Sequence, residues 1–234
     1  MAIVANYVTP LSALDQGAGA DAFSVSRWVE SDTKGEWLFL NFTDRQIEQL
    51  KPVICAVVGI SISSMLSLKE NNERRMFYVL DEFDALGEIS GMKSLLTRGR
   101  RFGASAIVAI QSVSQLYECY GREVANTLMS NLGTQVILRL PDHDTAEWAS
   151  KIFGDEQISE TMTSESISEQ IGSEKSVSTS QQIRQQRVVL ASEIQNLPDL
   201  VGLLNIVGDI PPCVIQIPPV NPPQVHEEFV KKTG

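Results

Sequence analysis

Met76-Phe77-Tyr78-Val79-Leu80-Asp81-Glu82 is the stretch on which the fold reading turns. Its apolar residues read as a buried strand, and the strand delivers two adjacent carboxylates at its C-terminal end, where open α/β sheets place their ligands. The same alternation extends outward in both directions. Upstream, Trp37-Leu38-Phe39-Leu40-Asn41-Phe42 predicts a short strand, and Asp44 opens an amphipathic helix reaching about Glu70. Downstream come a helix from about Gly91 to Arg101, a strand over Ser105 to Ile110, helical sequence from Ser114 to Asn131, and a strand over Thr134 to Leu140. A short helix capped by Asp142 or Asp144 then ends near Phe153-Gly154. Strands separated by helical patterns of this length indicate βαβ units with right-handed crossovers, hence a parallel α/β sheet.

Between residues 155 and 186 the composition shifts to Ser, Thr, Gln and Glu with almost no aromatic residue. Such a segment cannot bury much surface, and it reads as an exposed, mobile insertion containing a loose hairpin, with Ile158, Met162, Ile167 and Ile171 recurring. Beyond it Val188-Val189-Leu190 is strand-like, and Ser192 to Leu197 resembles a capped helical turn. Leu203 to Val207 and Cys213 to Ile217 form a closing pair of strands around a turn at Gly208 to Pro212. Pro218, Pro219, Pro222 and Pro223 end the fold in an extended tail, residues 220–234. At the other end residues 1–22, with the run Gln16-Gly17-Ala18-Gly19-Ala20, are turn-rich and offer no core.

A chain of 234 residues with 43% hydrophobic residues can bury an ordinary core, which excludes disorder throughout. Its formal charge of −10 repels polyanions, so contact with nucleic acid needs a local basic patch or partner segments. Cys55, Cys119 and Cys213 are widely spaced in apolar stretches, which predicts buried free thiols in a reducing compartment. The apolar run Val53 to Leu68 holds four serines and Gly59 and reads as a buried helix rather than a membrane span. The N-terminal stretch has no basic region ahead of its apolar residues, so a signal peptide is not expected.

Asp81 and Glu82 form a Walker B arrangement. In that chemistry the Asp holds a Mg²⁺ that bridges terminal phosphates, usually through water, and the Glu orients and polarises the attacking water. The next strand ends at Gln111-Ser112, a second polar tip at the same sheet edge, where Gln111 can hydrogen-bond both the γ-phosphate and that water. Asp81 and Gln111 are therefore expected on adjacent parallel strands, facing one cleft. Arg98-Gly99-Arg100-Arg101 puts three guanidinium groups at a helix end, suited to an arginine finger acting on a neighbouring subunit's phosphates. Plainer explanations compete: a strand that ends at polar residues, a Gln that caps a helix, and arginines that complement a helix dipole in solvent. A metal site of Asp81, Glu82 and Asp84 is a poorer reading, because neighbouring positions alternate sides of an ideal strand.

Taken together, Phe77 to Phe83, Arg98 to Gly103, Ile107 to Ser112, and Gln115-Leu116-Tyr117-Glu118 followed by Tyr120-Gly121 resemble the TraD-like branch of the type IV coupling proteins of conjugative transfer. The resemblance runs from about Phe23 to Pro219 and includes Trp37-Leu38-Phe39, Leu50-Lys51-Pro52 and Leu197-Pro198-Asp199-Leu200. It implies a RecA-like three-layer αβα motor domain with a mainly parallel sheet, related to FtsK-like translocases. Residues 23–219 would be its C-terminal part, and residues 1–22 the exit from an all-α domain that this chain lacks. It implies a homo-hexamer that binds ATP and Mg²⁺ and passes single-stranded DNA with its relaxase into a type IV secretion channel at the cytoplasmic face of the inner membrane. Carried onto this sequence, Asp81 and Glu82 are the Walker B pair, Gln111 senses the nucleotide, and Arg100 or Arg101 acts in trans. One departure is large: the sequence nowhere contains Gly-x-x-x-x-Gly-Lys-Ser/Thr, the loop that cradles phosphates. The chain then reads as a fragment of a longer motor or one half of a split one. The rival reading is a catalytically inactive interaction module of the secretion complex that keeps the motor fold.

Overall fold

The computed structural model describes residues 23–31, 33–40, 44–166, 176–208, 210–221 and 223. The chain divides into two compact units, residues 1–133 and 134–234.

In the first unit α1 (Val25–Ser31) and α2 (Asp44–Ser67) precede β1 (Met76–Leu80), followed by α3 (Phe83–Leu86), α4 (Met92–Phe102), β2 (Ala104–Val108), α5 (Val113–Tyr120) and α6 (Arg122–Ser130). The strands β1 and β2 pair in parallel, with Met76 opposite Ala104 and Leu80 opposite Val108. Their alternation is two-sided: Tyr78 and Leu80 are buried, whereas Phe77, Val79 and Ile107 are each more than half exposed. The buried Tyr78 hydroxyl shares a 3.1 Å hydrogen bond with Ser61, and desolvation pushes its pKa up to about 12 against that bond. The crossover from α4 into β2 closes at Gly103, in the left-handed region at φ +81°, where a Cβ would overlap the Arg74 carbonyl. Only glycine fits there.

Helix α2 buries Ile54, Val58, Ile62 and Met65, spaced as one helical face, while Ala56, Ile60 and Ser63 stay exposed. Over Gln49–Ser67, with mean hydropathy 1.7, it is long and apolar enough to cross a membrane by length and composition. The expected buried helix is thus buried along one side only. The helical stretch expected from Ser114 to Asn131 is two helices, because Gly121 at φ +74° interrupts the helical dihedrals.

Residues 36–40 do not form the strand expected at Trp37–Phe42; Asn41 and Phe42 lie outside the described residues. Trp37 and Phe39 instead stack on each other at 5.9 Å and remain about 70% exposed. An apolar aromatic run becomes a strand only when an edge is available to accept its backbone groups, and no described strand pairs with it.

The second unit contains β3 (Thr134–Ile137), α7 (His143–Ile152), β4 (Asp155–Ser166), β5 (Ser176–Arg187), α8 (Ala191–Gln195), β6 (Val201–Ile206) and β7 (Cys213–Gln216). Ile137, Ala146, Ala149, Phe153, Ala191, Ile194 and Leu203 form its core. Asp142 caps α7 by accepting hydrogen bonds from the Thr145 amide and hydroxyl, and these lower its pKa. The strand order is β3-β6-β7, and both pairings are antiparallel.

A mainly parallel sheet is therefore not what the described strands form. Parallel pairing is confined to β1–β2, whereas β3–β6, β6–β7 and β4–β5 are antiparallel. A short turn can only return a strand antiparallel, which accounts for β6–β7. Apolar periodicity encodes which residues face the core and carries no information on strand direction.

The insertion expected at residues 155–186 is a two-stranded ribbon of twelve residues per strand, from Asp155 opposite Arg187 to Ser166 opposite Ser176. At its base Arg187 pairs with Asp155 at 2.9 Å and the Val188 amide donates to Gly154. Ile167 and Ile171 lie outside the described residues, as do the expected N-terminal segment 1–22 and residues 224–234 of the expected tail. The three cysteines are free. Cys55 and Cys119 are partly buried, but Cys213 on β7 is exposed, contrary to the expectation for all three.

Candidate functional site

The two carboxylates of the 81–82 turn are held out from the sheet by a backbone clamp. The Ala109 amide donates to the Leu80 carbonyl at 3.0 Å, and the Ala109 carbonyl accepts from the Phe83 amide at 2.9 Å. The residue just beyond β2 therefore grips the chain on both sides of Asp81 and Glu82. Between these grips the backbone must turn sharply, and Glu82 takes left-handed dihedrals, φ 51° and ψ 47°. For a residue with a long side chain that conformation is strained, and such strain clusters at functional sites.

The turn brings three of the sequence-derived residues together. Asp81 and Glu82 follow β1, Gln111 follows β2, and all three are exposed at the same end of the parallel pair. Gln111 Nε2 donates to Glu82 Oε1 at 2.9 Å, and the Glu82 amide donates to Asp81 Oδ1 at 3.2 Å. An exposed carboxylate hydrogen-bonded to a carboxamide can align and polarise a water. Asp81 suits a Mg²⁺ ion, which is held by one or two carboxylates and takes its other ligands from substrate phosphates and water. Among the described residues no group of three or more His, Cys, Asp and Glu could hold a metal by itself.

Asp84 belongs to the same turn but not to the exposed surface. It is 3% exposed, and its Oδ2 accepts from the backbone amides of Gln111 and Ser112, each at 3.2 Å. Its carboxylate is thus turned away from Asp81 and Glu82 chemistry, which disposes of the three-acid metal reading. Phe83, buried behind Glu82, packs on Tyr120 at 5.4 Å, and the Tyr120 hydroxyl accepts from the Ile89 amide at 2.9 Å. Burial raises the Tyr120 pKa to about 12, so it stays a neutral phenol. The thiols of Cys55 and Cys119 donate to the carbonyls of Leu86 and Asp84. Burial raises the Cys55 pKa further, which suits this structural donor role. Sequence reasoning weighs Asp84 only as a metal ligand and misses its bonds to the backbone, and it assigns Phe83 and Tyr120 no place in the site. Phe83 and Tyr120 sit inside the motifs quoted above, but nothing local indicates that they meet.

Arg100 and Arg101 are not brought to this cluster. They end α4, where the Arg101 carbonyl accepts from Asn71 and its guanidinium lies 3.7 Å from Glu70. That is the opposite end of β1 and β2, and five strand residues at about 3.3 Å each separate the two ends by roughly 16 Å. Arg100 instead lines a cleft of about 320 Å³ with Asn72, Arg75, Gly103, Ala104 and Ser105.

Residues 1–218 match the family described as type IV secretion-system coupling protein DNA-binding domain. The chain is 30% identical over 239 residues to coupling protein TraD of Escherichia coli (strain K12), covering 99% of this chain and 33% of that protein. It is 27% identical to the type IV secretion system-coupling protein VirD4 of Bartonella henselae, over 55% of this chain and 20% of the relative. Among solved structures, the plasmid coupling protein TrwB in complex with ADP and Mg²⁺ superposes with TM-score 0.74 at 28% identity, covering 89% of this chain and 46% of that one. TrwB with the non-hydrolysable ATP analogue ADPNP gives the same figures. The chain thus spans between a fifth and just under a half of the length of these relatives.

Proposed function

Because the chain belongs to the family of type IV secretion-system coupling proteins, we propose that it is the portion of an ATP-driven DNA translocase that supplies the water-activating half of the nucleotide site. The observation that supports this reading is the meeting of Glu82 and Gln111, 2.9 Å apart, beside Asp81 at the C-terminal ends of adjacent parallel strands. Asp81 would hold Mg²⁺ through water, and bound Mg²⁺ would neutralise charge developing on the terminal phosphates. Glu82 would accept a proton from the attacking water and orient it. Gln111 would exchange its bond to Glu82 for one to the phosphate, and so sense whether the nucleotide is intact. Arg100 or Arg101, at the far end of the strands, would serve the site of a neighbouring subunit in a homo-hexamer.

On this reading the motor passes single-stranded DNA with its relaxase into the secretion channel from the cytoplasmic face of the inner membrane. The phosphate-cradling loop, the membrane helices and the all-α domain would come from polypeptide outside these 234 residues. Residues 23–219 would form the C-terminal part of the RecA-like motor, with the 155–186 ribbon as an excursion from it. The test is reconstitution. The chain alone should release essentially no phosphate from ATP, and the chain combined with the remainder of a coupling protein should release it readily, because electrostatic cradling supplies much of the catalysis. Appreciable turnover by the isolated chain would remove the proposal. The absent phosphate loop favours a second reading, an inactive interaction module, and reconstituted complexes that assemble without ATP turnover would establish that one instead.

A further inference from the structure

Asp84 is the sole charged side chain among the buried described residues, and the proposed chemistry does not use it. A buried carboxylate is costly unless hydrogen bonds satisfy it. Here the partners are two successive backbone amides, Gln111 and Ser112, which belong to the segment leading from β2 into α5. That segment carries the proposed sensor, and Asp84 lies two residues beyond the proposed base. The main chain around Asp84 is itself anchored: the Phe83 amide is bonded to Ala109, Phe83 is buried against Tyr120, and the Asp84 carbonyl accepts the Cys119 thiol.

We infer that Asp84 is a positioning residue of this site: its buried carboxylate ties the Gln111 backbone to the turn that bears Glu82, so that base and sensor are held as one unit. The inference rests on the nucleotide-site reading above. The Asp84 carboxylate is buried on backbone amides and takes no part in the proposed chemistry. Its two bonds fix where the Gln111 main chain stands and leave the exposed side chain free to swing between Glu82 and a ligand oxygen. A role confined to fixing the start of α5 would make no demand on Glu82, and that difference is measurable.

The first measurement uses the whole chain and nuclear magnetic resonance of its amides. In Asp84→Ala, hydrogen-exchange protection of Gln111 and Ser112 should fall about tenfold or more while α4 and α6 keep theirs, since a lost local bond exposes only local amides. The Gln111 side-chain amide signal should also move to its position in Glu82→Ala, reporting loss of their contact. Asp84→Asn, which retains an acceptor oxygen, should restore both. If Asp84→Ala does not fold, Asp84→Ser, too short to reach both amides, takes its place. A Gln111 signal that stays at its native position when Asp84 is truncated would overturn the inference.

The second measurement uses the reconstituted motor. Asp84→Ala should lower kcat by about 10- to 100-fold with KM nearly unchanged, the scale of a misplaced but intact catalytic group, and Asp84→Asn should recover most of it. Normal kcat for Asp84→Ala, in an assembly that Glu82→Gln inactivates, would refute the positioning role while leaving the nucleotide reading in place. No turnover in the unsubstituted assembly would remove the nucleotide reading and this inference with it.

Discussion

Glu82 shows how much of the site's chemistry is settled by one residue's backbone. Left-handed dihedrals cost a non-glycine residue about 1–3 kcal/mol, and here the cost is borne because Ala109 holds the chain on both sides of the turn. Glycine at this position would relieve that strain but delete the carboxylate. Glu82→Gly should therefore raise the stability of the chain by about 1 kcal/mol in urea denaturation. Glu82→Gln keeps the strain and the shape. In the reconstituted motor it should retain nucleotide binding, measured by fluorescent-nucleotide titration, and lower turnover by about 100-fold or more. Near-normal turnover in Glu82→Gln would exclude Glu82 as the water-activating group. Asp81, Glu82 and Gln111 were legible in the sequence because each sits at the polar tip of an apolar strand. Asp84 was not. Its partners lie 27 and 28 residues away, and burial of a carboxylate leaves no local pattern.

At the scale of elements, periodicity located most of the helices and strands within a few residues and misjudged those whose fate depends on a partner. The Trp37–Phe39 run has strand composition but remains an unpaired, exposed stretch. The Ser- and Gln-rich segment from Asp155, expected to hold a loose hairpin, lacks the apolar content of a core strand and forms a more regular antiparallel ladder than expected, because main-chain pairing needs no apolar side chains. Its stability is another matter. A long two-stranded ribbon is marginal in water unless a face of it is buried, and ordering each residue costs about 1–2 kcal/mol. Hydrogen exchange should accordingly be graded along the ribbon. Amides near Asp155 and Arg187, beside the ion pair and the Val188–Gly154 bond, should exchange slowly, and those toward Ser166 and Ser176 within seconds. Uniformly slow exchange along both strands would mean that the ribbon is held by more than its own ladder.

At the scale of the molecule, the alternation of strands and helices carried the α/β class, but the direction of the closing strands was not in the pattern. What the sheet does preserve is polarity: the two ends of the β1–β2 pair have opposite chemistry. Asp81, Glu82 and Gln111 stand at one end, and Arg98, Arg100 and Arg101 stand in or beside the α4 terminus at the other. With the two strand ends roughly 16 Å apart, at about 3.3 Å per strand residue, the arginines stand at the far end from their own subunit's carboxylates. In a closed ring, however, heterologous contacts place one face of each subunit against the opposite face of the next. This polarity is the arrangement a trans-acting arginine requires, and it gives the proposed ring a testable signature. In the reconstituted motor, Arg100→Ala and Arg101→Ala should differ sharply: the finger should cost about 1000-fold in turnover, and the other arginine should cost little. Arg101 already neighbours Glu70, whereas Arg100 lines the cleft, so Arg100 is the expected finger. Arg100→Ala subunits that retain every other part should also poison rings formed with unaltered subunits, each one silencing its neighbour's site. Phosphate release measured against the fraction of altered subunits should then fall at least in proportion to that fraction. If the two alanine variants are equally active, or if mixed rings lose nothing, the arginine does not act across subunits.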